Sequence, residues 1–330
     1  MIRRMIPLII LLLGLTGLIA CSPAARPPAL PTPTVYYAPP TPVPYDPPTP
    51  LPRSSSQFEA TTVLLLGTDR RNLDGSTDNT DTLMLFHLDP NTQRMAILSI
   101  PRDLYVEVTG HEQARINTAY AWGERDGTGG LASARQTVSA TLSIPAQHAV
   151  LLDFHVFVTL IDAIGGVDVD VPYPISDPTY PDSGTGYDPF YLPAGQHHLD
   201  GATALKYART RATPGGDFDR TARQRQIALA VRDRVTRLDL LPSLIAQSPQ
   251  RWSALQGAFE TDLTLGEIVD LAVIASRIPV DQITTAAIDE THTHPWVTPE
   301  GASVLLPDQP AIEALVTDLF FPPPATAAAQ

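Results

Sequence analysis

Apolar and polar positions in this chain follow two periods, and the two alternate along its length. Residues 62–67 (TVLLLG) form a short continuous apolar run closed by glycine, the pattern of a strand buried on both faces. Residues 82–88 and 94–100 predict two more strands, joined by a turn at Asp89-Pro90-Asn91. A helix follows over 128–142, then a strand over 149–154. A short helix over 157–164, stopped by Gly165-Gly166, leads into a strand over 167–171. Asp200 reads as the N-cap of a helix over 202–207, and a longer helix opens near Asp219 and runs to about residue 237. Helical segments over 240–259 and 265–278 and a strand near 283–288 complete the pattern. Strands and helices interleave, which predicts a mixed sheet covered by helices. No internal repeat is visible, and folded structure is expected to begin near Thr61.

The first 56 residues carry a different pattern. Arg3 and Arg4 precede an apolar run, and Leu18-Ile19-Ala20-Cys21 resembles a bacterial lipobox. This layout predicts an export signal over residues 1–20, with Cys21 lipidated as the mature N-terminus. The competing reading is an uncleaved signal anchor, but the apolar stretch over 5–20 is short of the roughly 20 residues that cross a bilayer. Either way, the bulk of the chain lies outside the cytoplasm. Residues 21–56, dominated after Cys21 by Pro, Thr and Ala, cannot bury enough apolar surface to fold, so they read as a disordered tether. At about 3.1 Å per residue such a tether reaches up to roughly 100 Å. A catalytic domain is then expected over 57–322 and a disordered tail over 323–330.

Composition narrows the chemistry. With 330 residues and 43% hydrophobic content, the chain can bury a large core. Cys21 is the only cysteine, which excludes an intramolecular disulfide and leaves no thiolate metal site or cysteine nucleophile in the folded part. The net charge is -13, and removing residues 1–20, with two arginines and no acid, takes it to -15. That balance argues against nucleic acid as a partner, because nucleic-acid binding depends on a broad basic footprint. An anionic ligand must therefore be attracted locally.

The local attraction has an evident source. Although the chain has only 22 Lys+Arg against 35 Asp+Glu, Arg209, Arg211, Arg220 and Arg223 fall within RTRATPGGDFDRTARQ. Guanidinium forks suit phosphate. Asp69 follows the first strand, where ligands of open α/β sheets gather, Asp81 opens the second strand, and Arg102 ends the third. Arg220 and Gln224 are spaced i,i+4 on one helical face. Other signals are set aside: His292 and His294 as structural or loop histidines, His197 and His198 as turn or cap residues, and residues 177–189 as a solvated loop. Ser99 lacks a G-x-S-x-G setting, which argues against a serine hydrolase.

The segments VLLLGTDRR, TDTLMLFHLD, MAILSIPRDLYV, RINTAYAWG, IGGVDVDV, LDGATALKYARTR and GGDFDRTARQRQ together resemble the LytR–CpsA–Psr family of cell-envelope phosphotransferases over about residues 61–234. The resemblance implies an α/β fold, a three-layer α/β/α sandwich with a central mixed β-sheet. It also implies a reaction outside the membrane, in which a glycopolymer moves from an undecaprenyl-pyrophosphate carrier to a sugar hydroxyl of peptidoglycan. By the same resemblance Asp69 and Asp81 hold magnesium, with manganese the alternative ion. Arg102, Arg209, Arg211 and Arg220 grip the pyrophosphate, and Asp217 lies near the metal and arginines. Arg115, Gln224 and Arg223 are placed with the substrate-binding residues. Asn79 stands where many members have an arginine, and Arg70 or Arg71 is the expected replacement. An acceptor base is expected at Asp217 or Asp103. The rival readings are a pyrophosphatase acting on the carrier and a non-catalytic binder of polyprenyl-linked glycans.

Overall fold

The computed structural model describes residues 60–69, 79–182, 186–237 and 259–322. The expected signal, Cys21, the tether, Arg70, Arg71, most of the helical segment over 240–259 and the tail lie outside the described residues. The central sheet is built from β1 (Thr61–Thr68), β2 (Thr80–Asp89), β3 (Arg94–Ile100), β6 (His148–Asp153), β11 (Phe259–Thr261) and β12 (Ile283–Ala287), in the order β11-β6-β1-β2-β3-β12. Pairing is antiparallel for β1 with β2, β2 with β3 and β11 with β6, and parallel for β1 with β6 and β3 with β12. This is the expected mixed sheet.

Strand periodicity divides the sheet's side chains between two cores. Leu64, Leu66, Leu83, Leu85, Leu98 and Ile100 face one way. They pack on α1 (Ala119–Arg125), α2 (Gly130–Leu142) and α7 (Gln309–Phe320), through Tyr120, Val138, Leu142 and Ile312 among others. Leu65, Met84, Phe86, Met95 and Ile97 face the other way, toward Ala228 and Leu229 of α5 (Gly216–Arg237) and Ile274 of α6 (Leu265–Arg277). A third core joins α3 (Phe154–Ala163), α4 (Gly201–Arg209) and α5 to two antiparallel strand pairs. These are β7 (Val167–Val171) with β10 (Gly195–Leu199), and β8 (Ile175–Asp177) with β9 (Phe190–Leu192). Two further pairs, β4 (Tyr105–Glu107) with β5 (Gln113–Arg115) and β13 (Thr293–Val297) with β14 (Ser303–Pro307), flank the site described below.

Several boundaries differ from expectation for local reasons. Phe154, expected in a strand, opens α3, because the Asp153 carboxylate accepts from the Val156 N–H at 2.8 Å and caps the helix directly at the strand end. Asp200 caps α4 as expected, accepting from Thr203 N–H at 2.8 Å. Helix α5 starts at Gly216, earlier than expected, which puts Asp217 and Asp219 in its first turn where the helix dipole favours carboxylates. Phe259 is not helical but begins β11. Helices α1 and α7, strand β10 and the pairs β4–β5, β8–β9 and β13–β14 are additions to the expected pattern. Histidines 197 and 198 are strand residues of β10, opposite Val169 and Asp168, not turn or cap residues.

Gly67 is required by close approach: a Cβ there would sit 2.9 Å from the Thr82 Cβ on the paired strand. Gly67→Ala is therefore expected to cost about 1–3 kcal/mol of stability, through overpacking inside the sheet. The urea unfolding midpoint measures it.

Candidate active site

Because β1 and β3 run the same way, and each is parallel to one neighbour, the carboxyl ends of β1, β3, β6 and β12 share one sheet edge. Ligands of α/β sheets gather at such edges. Asp69 follows β1 there, and Arg102 and Asp103 follow β3. The register passes from Gly67 opposite Thr82 to Thr68 opposite Thr80, so Asp81 is the extra residue of a β-bulge. Bulges re-aim side chains at functional edges. The segment after β3 is folded back by Leu104 N–H to Pro101 O at 3.1 Å and Ile116 N–H to Leu104 O at 2.7 Å. It is tied to β2 by Thr80 Oγ1 donating to Asn117 O at 3.3 Å.

The structure brings the expected charged residues together as alternating pairs. Arg102 Nη1 lies 2.5 Å from Asp81 Oδ1, and its Nε is 3.6 Å from Asp103 Oδ2. Asp103 Oδ1 lies 3.1 Å from Arg115 Nε in an ion pair, while Arg115 Nη2 donates to the Ser303 carbonyl of β14 at 2.7 Å. Arg209 Nη2 is 3.0 Å from Asp69 Oδ2. Asp217 holds two arginines: its Oδ1 lies 3.0 Å from Arg211 Nε and 2.9 Å from Arg220 Nη2. Burial would lower the Arg102 pKa, but the hydrogen bond and charge of Asp81, with Asp103 and Asp217 nearby, lift it above the ordinary value. Arg211 is lowered by burial and by the neighbouring charges of Arg220 and Arg102. Both remain cations. Arg220 is only 4% exposed, and its Nε is buried with no hydrogen-bond partner among the described residues. An orphaned guanidinium donor at this edge is suited to an incoming oxyanion.

Two expected substrate-binding residues are engaged differently. Arg223 is buried and braces the turn between α4 and α5, donating to the carbonyls of Tyr207 and Thr210 and to Thr213 Oγ1. Three of its five donors are thereby engaged within the protein. Gln224 donates to Ala208 O at 3.3 Å and lines the mouth of a cavity. Asn79 is exposed just before β2.

Three residues at the site carried no sequence signal for it. Phe154 lies against Arg209, whose guanidinium carbon is 4.0 Å from the ring centroid. Tyr180 accepts from Arg209 Nη1 at 3.1 Å. Asp177 is buried and accepts from Thr210 Oγ1 at 2.6 Å. The start of the segment expected as a solvated loop is therefore packed structure. The inward Asp177 faces hydroxyls and not water, which alternation alone does not reveal. Tyr187, further along, is exposed as expected of a loop.

From this edge an apolar cavity of about 830 Å³ runs between the sheet and helices α3 to α6. Gly67, Thr82, Arg209 and Gln224 lie at its site end, while Phe86, Met95 and Val235 line it deeper in. Gln224 and Thr236 both line it, and at 1.5 Å rise per residue along α5 that is a run of about 18 Å.

Among the described residues no group of three or more His, Cys, Asp or Glu side chains is placed to hold a metal alone. His292 sits in the turn before β13 against Asp289 Oδ1 at 2.7 Å, and His294 in β13 is 3.7 Å from Asp308. Asp69 and Asp81, hard oxygen donors at adjacent strand ends, fit a magnesium ion that takes its other ligands from phosphate and water.

The different tasks of the arginines can be separated by unfolding. Arg223→Met should lower the unfolding free energy by roughly 3 kcal/mol or more, because it leaves buried carbonyls unpaired. Arg211→Met, at a half-exposed side chain, should stay within about 1 kcal/mol. Urea denaturation of the two variants checks the contrast.

A model of the LytR_cpsA_psr family matches residues 46–320. The polyisoprenyl-teichoic acid–peptidoglycan teichoic acid transferase TagU of Oceanobacillus iheyensis is 34% identical over 214 residues, covering 64% of this chain and 62% of that protein. TagV of Bacillus subtilis, named for the same activity, is 32% identical over 255 residues, covering 76% and 61%. The chain thus spans 61–62% of the length of these two curated relatives. The crystal structure of B. subtilis TagV superposes with a TM-score of 0.63 at 28% identity, over 80% of this chain and 98% of that one. A family match across nearly all of the described fold, together with this superposition, means that the chain belongs to the LytR_cpsA_psr family.

Proposed function

We propose that this protein is an extracytoplasmic transferase that moves a glycopolymer from a polyprenyl-pyrophosphate carrier to a sugar hydroxyl of peptidoglycan. It is held at the outer face of the membrane through a lipid on Cys21. The observation that carries this reading is the continuity of an apolar cavity with a cluster of arginines. A polyprenyl pyrophosphate is itself a long apolar chain ending in two phosphates. Burying each CH₂ of such a chain contributes about 0.8 kcal/mol, so the cavity supplies affinity and the arginines supply position. The names of TagU and TagV, which specify a polyisoprenyl-linked donor and a peptidoglycan acceptor, support the same reading.

The residues divide the work. Arg102, Arg209, Arg211 and Arg220 hold the non-bridging oxygens and stabilise charge that builds on the leaving polyprenyl phosphate. The acceptor oxygen attacks the phosphorus that carries the glycan, the P–O bond to the polyprenyl phosphate breaks, and the hydroxyl proton goes to a base. Asp217 accepts a hydrogen bond from Arg220 Nη2 at Oδ2, 3.0 Å, and faces Arg211 and Arg220 across ion pairs of 2.9–3.0 Å at Oδ1. Asp103 is held more loosely, at 3.1 and 3.6 Å, so we assign the proton to Asp103. Asp69 and Asp81 would hold magnesium, which when bound neutralises phosphate charge.

The test incubates the full-length protein with a polyprenyl-pyrophosphate glycan, magnesium and peptidoglycan oligomers, with products read by mass spectrometry. A glycan–phosphate–peptidoglycan adduct is expected. Free glycan phosphate alone would mean hydrolysis, and intact bound donor would mean a binding protein. Arg102→Ala and Asp81→Ala should each lower turnover by about 10²-fold or more. Full activity in either overturns the site assignment. Chelating divalent ions should stop transfer and added magnesium restore it. Metabolic lipid labelling of the membrane fraction should disappear in Cys21→Ala.

A further inference from the structure

We propose that Phe154 and Tyr180 are positioning residues that clamp the Arg209 guanidinium in the orientation that receives a pyrophosphate, an inference resting on the transferase reading above. Arg209 is the last residue of α4, where a long side chain at a helix end would otherwise sample many rotamers. Its freedom is removed on three sides. The Phe154 ring packs with its centroid 4.0 Å from the guanidinium carbon, and the Tyr180 centroid lies at 5.5 Å. Nη1 donates to the Tyr180 hydroxyl at 3.1 Å and Nη2 to Asp69 at 3.0 Å. A guanidinium carries five N–H donors, and these two bonds use two. The clamp therefore fixes the group without exhausting it.

The clamp is built from separate parts of the fold, each anchored independently. Phe154 is set by the Asp153 cap at the end of β6. Tyr180 is only 5% exposed, packs against Phe190 at 6.2 Å between centroids, and has the Lys206 ammonium 5.7 Å from its ring centroid. Strand β8, which ends three residues before Tyr180, is latched to the residue after Arg209 by the Thr210–Asp177 hydrogen bond. Burial raises the Tyr180 pKa despite the nearby Arg209 charge, so the phenol stays neutral at physiological pH and keeps Arg209 as its donor. Phe154 also lines the cavity, so the same ring meets the start of the lipid and the back of the arginine. Ordering a donor before substrate arrives is what raises kcat more than affinity for the lipid.

The experiment compares Phe154→Leu, Phe154→Tyr and Tyr180→Phe with the unaltered full-length protein. It reads inorganic pyrophosphate affinity by calorimetry, the kcat and KM for the lipid-linked donor, and the melting temperature. Phe154→Leu should weaken pyrophosphate binding by about tenfold and lower kcat/KM for the lipid-linked donor by at least as much. Phe154→Tyr keeps the aromatic face and should stay within about twofold on both. Tyr180→Phe should lose about fivefold in kcat. In the Arg209→Lys background the effect of Phe154→Leu should largely vanish, since the planar group it orders is gone. Equal losses for Phe154→Leu and Phe154→Tyr, or an undiminished effect in the Arg209→Lys background, would overturn the clamp. If the unaltered protein transfers no glycan yet pyrophosphate affinity follows the expected order, the clamp stands and the transferase reading falls.

Discussion

An arginine drawn into a partly buried site keeps its charge, so it needs a fixed counter-charge in its immediate surroundings. That constraint organises the sheet edge. Asp69, Asp81, Asp103 and Asp217 are each placed by backbone geometry: two strand ends, one bulge and the first turn of α5. Between them they hold Arg209, Arg102, Arg115, Arg211 and Arg220. Five arginines share four carboxylates, so the cluster keeps a positive excess. A buried ion pair adds little stability on balance, because desolvation offsets its attraction. What the pairing supplies is order: the donors stand in fixed positions before any substrate oxygen replaces their partners.

The second feature of the site follows from how α5 and α6 meet the sheet. Protein interiors pack at crystal-like density, and an apolar void the size of this cavity sacrifices dispersion contacts along its whole lining. Such a space is tolerated where something apolar is meant to enter it. The opposite face of the sheet shows the contrast, with Leu64, Leu66, Leu85 and Leu98 fully covered by α1, α2 and α7. Helices α3 and α4 keep the open side from collapsing, because they belong to the separate core beneath β7 to β10. One sheet thus supports a packed face and an open one. The charged cluster stands where the open one meets the strand ends.

Much of this arrangement is legible in the sequence, and the parts that are not share a physical reason. Continuous apolar runs identify β1, β2 and β3, and an aspartate directly after such a run marks the strand end where Asp69 stands. The concentration of arginines in an acidic chain identifies the anion site. Arg223 looks identical to Arg220 by that criterion, yet one braces carbonyls and the other is held by Asp217, because only the three-dimensional turn after α4 decides which way each fork points. Phe154 reads as a strand residue since Asp153 replaces a loop with a single capping carboxylate. Tyr180 reads as part of a solvated loop because it follows β8 without a strand pattern of its own, yet it is buried. The cavity is invisible for a plainer reason. Leu65 and Met84 at a void and Leu64 and Leu85 in a core have the same composition and the same period.

The overall charge of -13 then becomes informative about how the site recognises its ligand. Long-range attraction cannot bring an anionic ligand to a protein whose net field repels it. At physiological ionic strength, though, charges are screened beyond about 8 Å in solvent, so the distant acids hardly weaken a local cluster. Partly buried guanidinium groups are screened far less. For the proposed lipid-linked ligand, recognition falls to two short-range terms, burial of the apolar chain and directional bonds from fixed arginines. Neither depends on sugar identity. On the proposed transferase reading, both terms act on the lipid and its pair of phosphates.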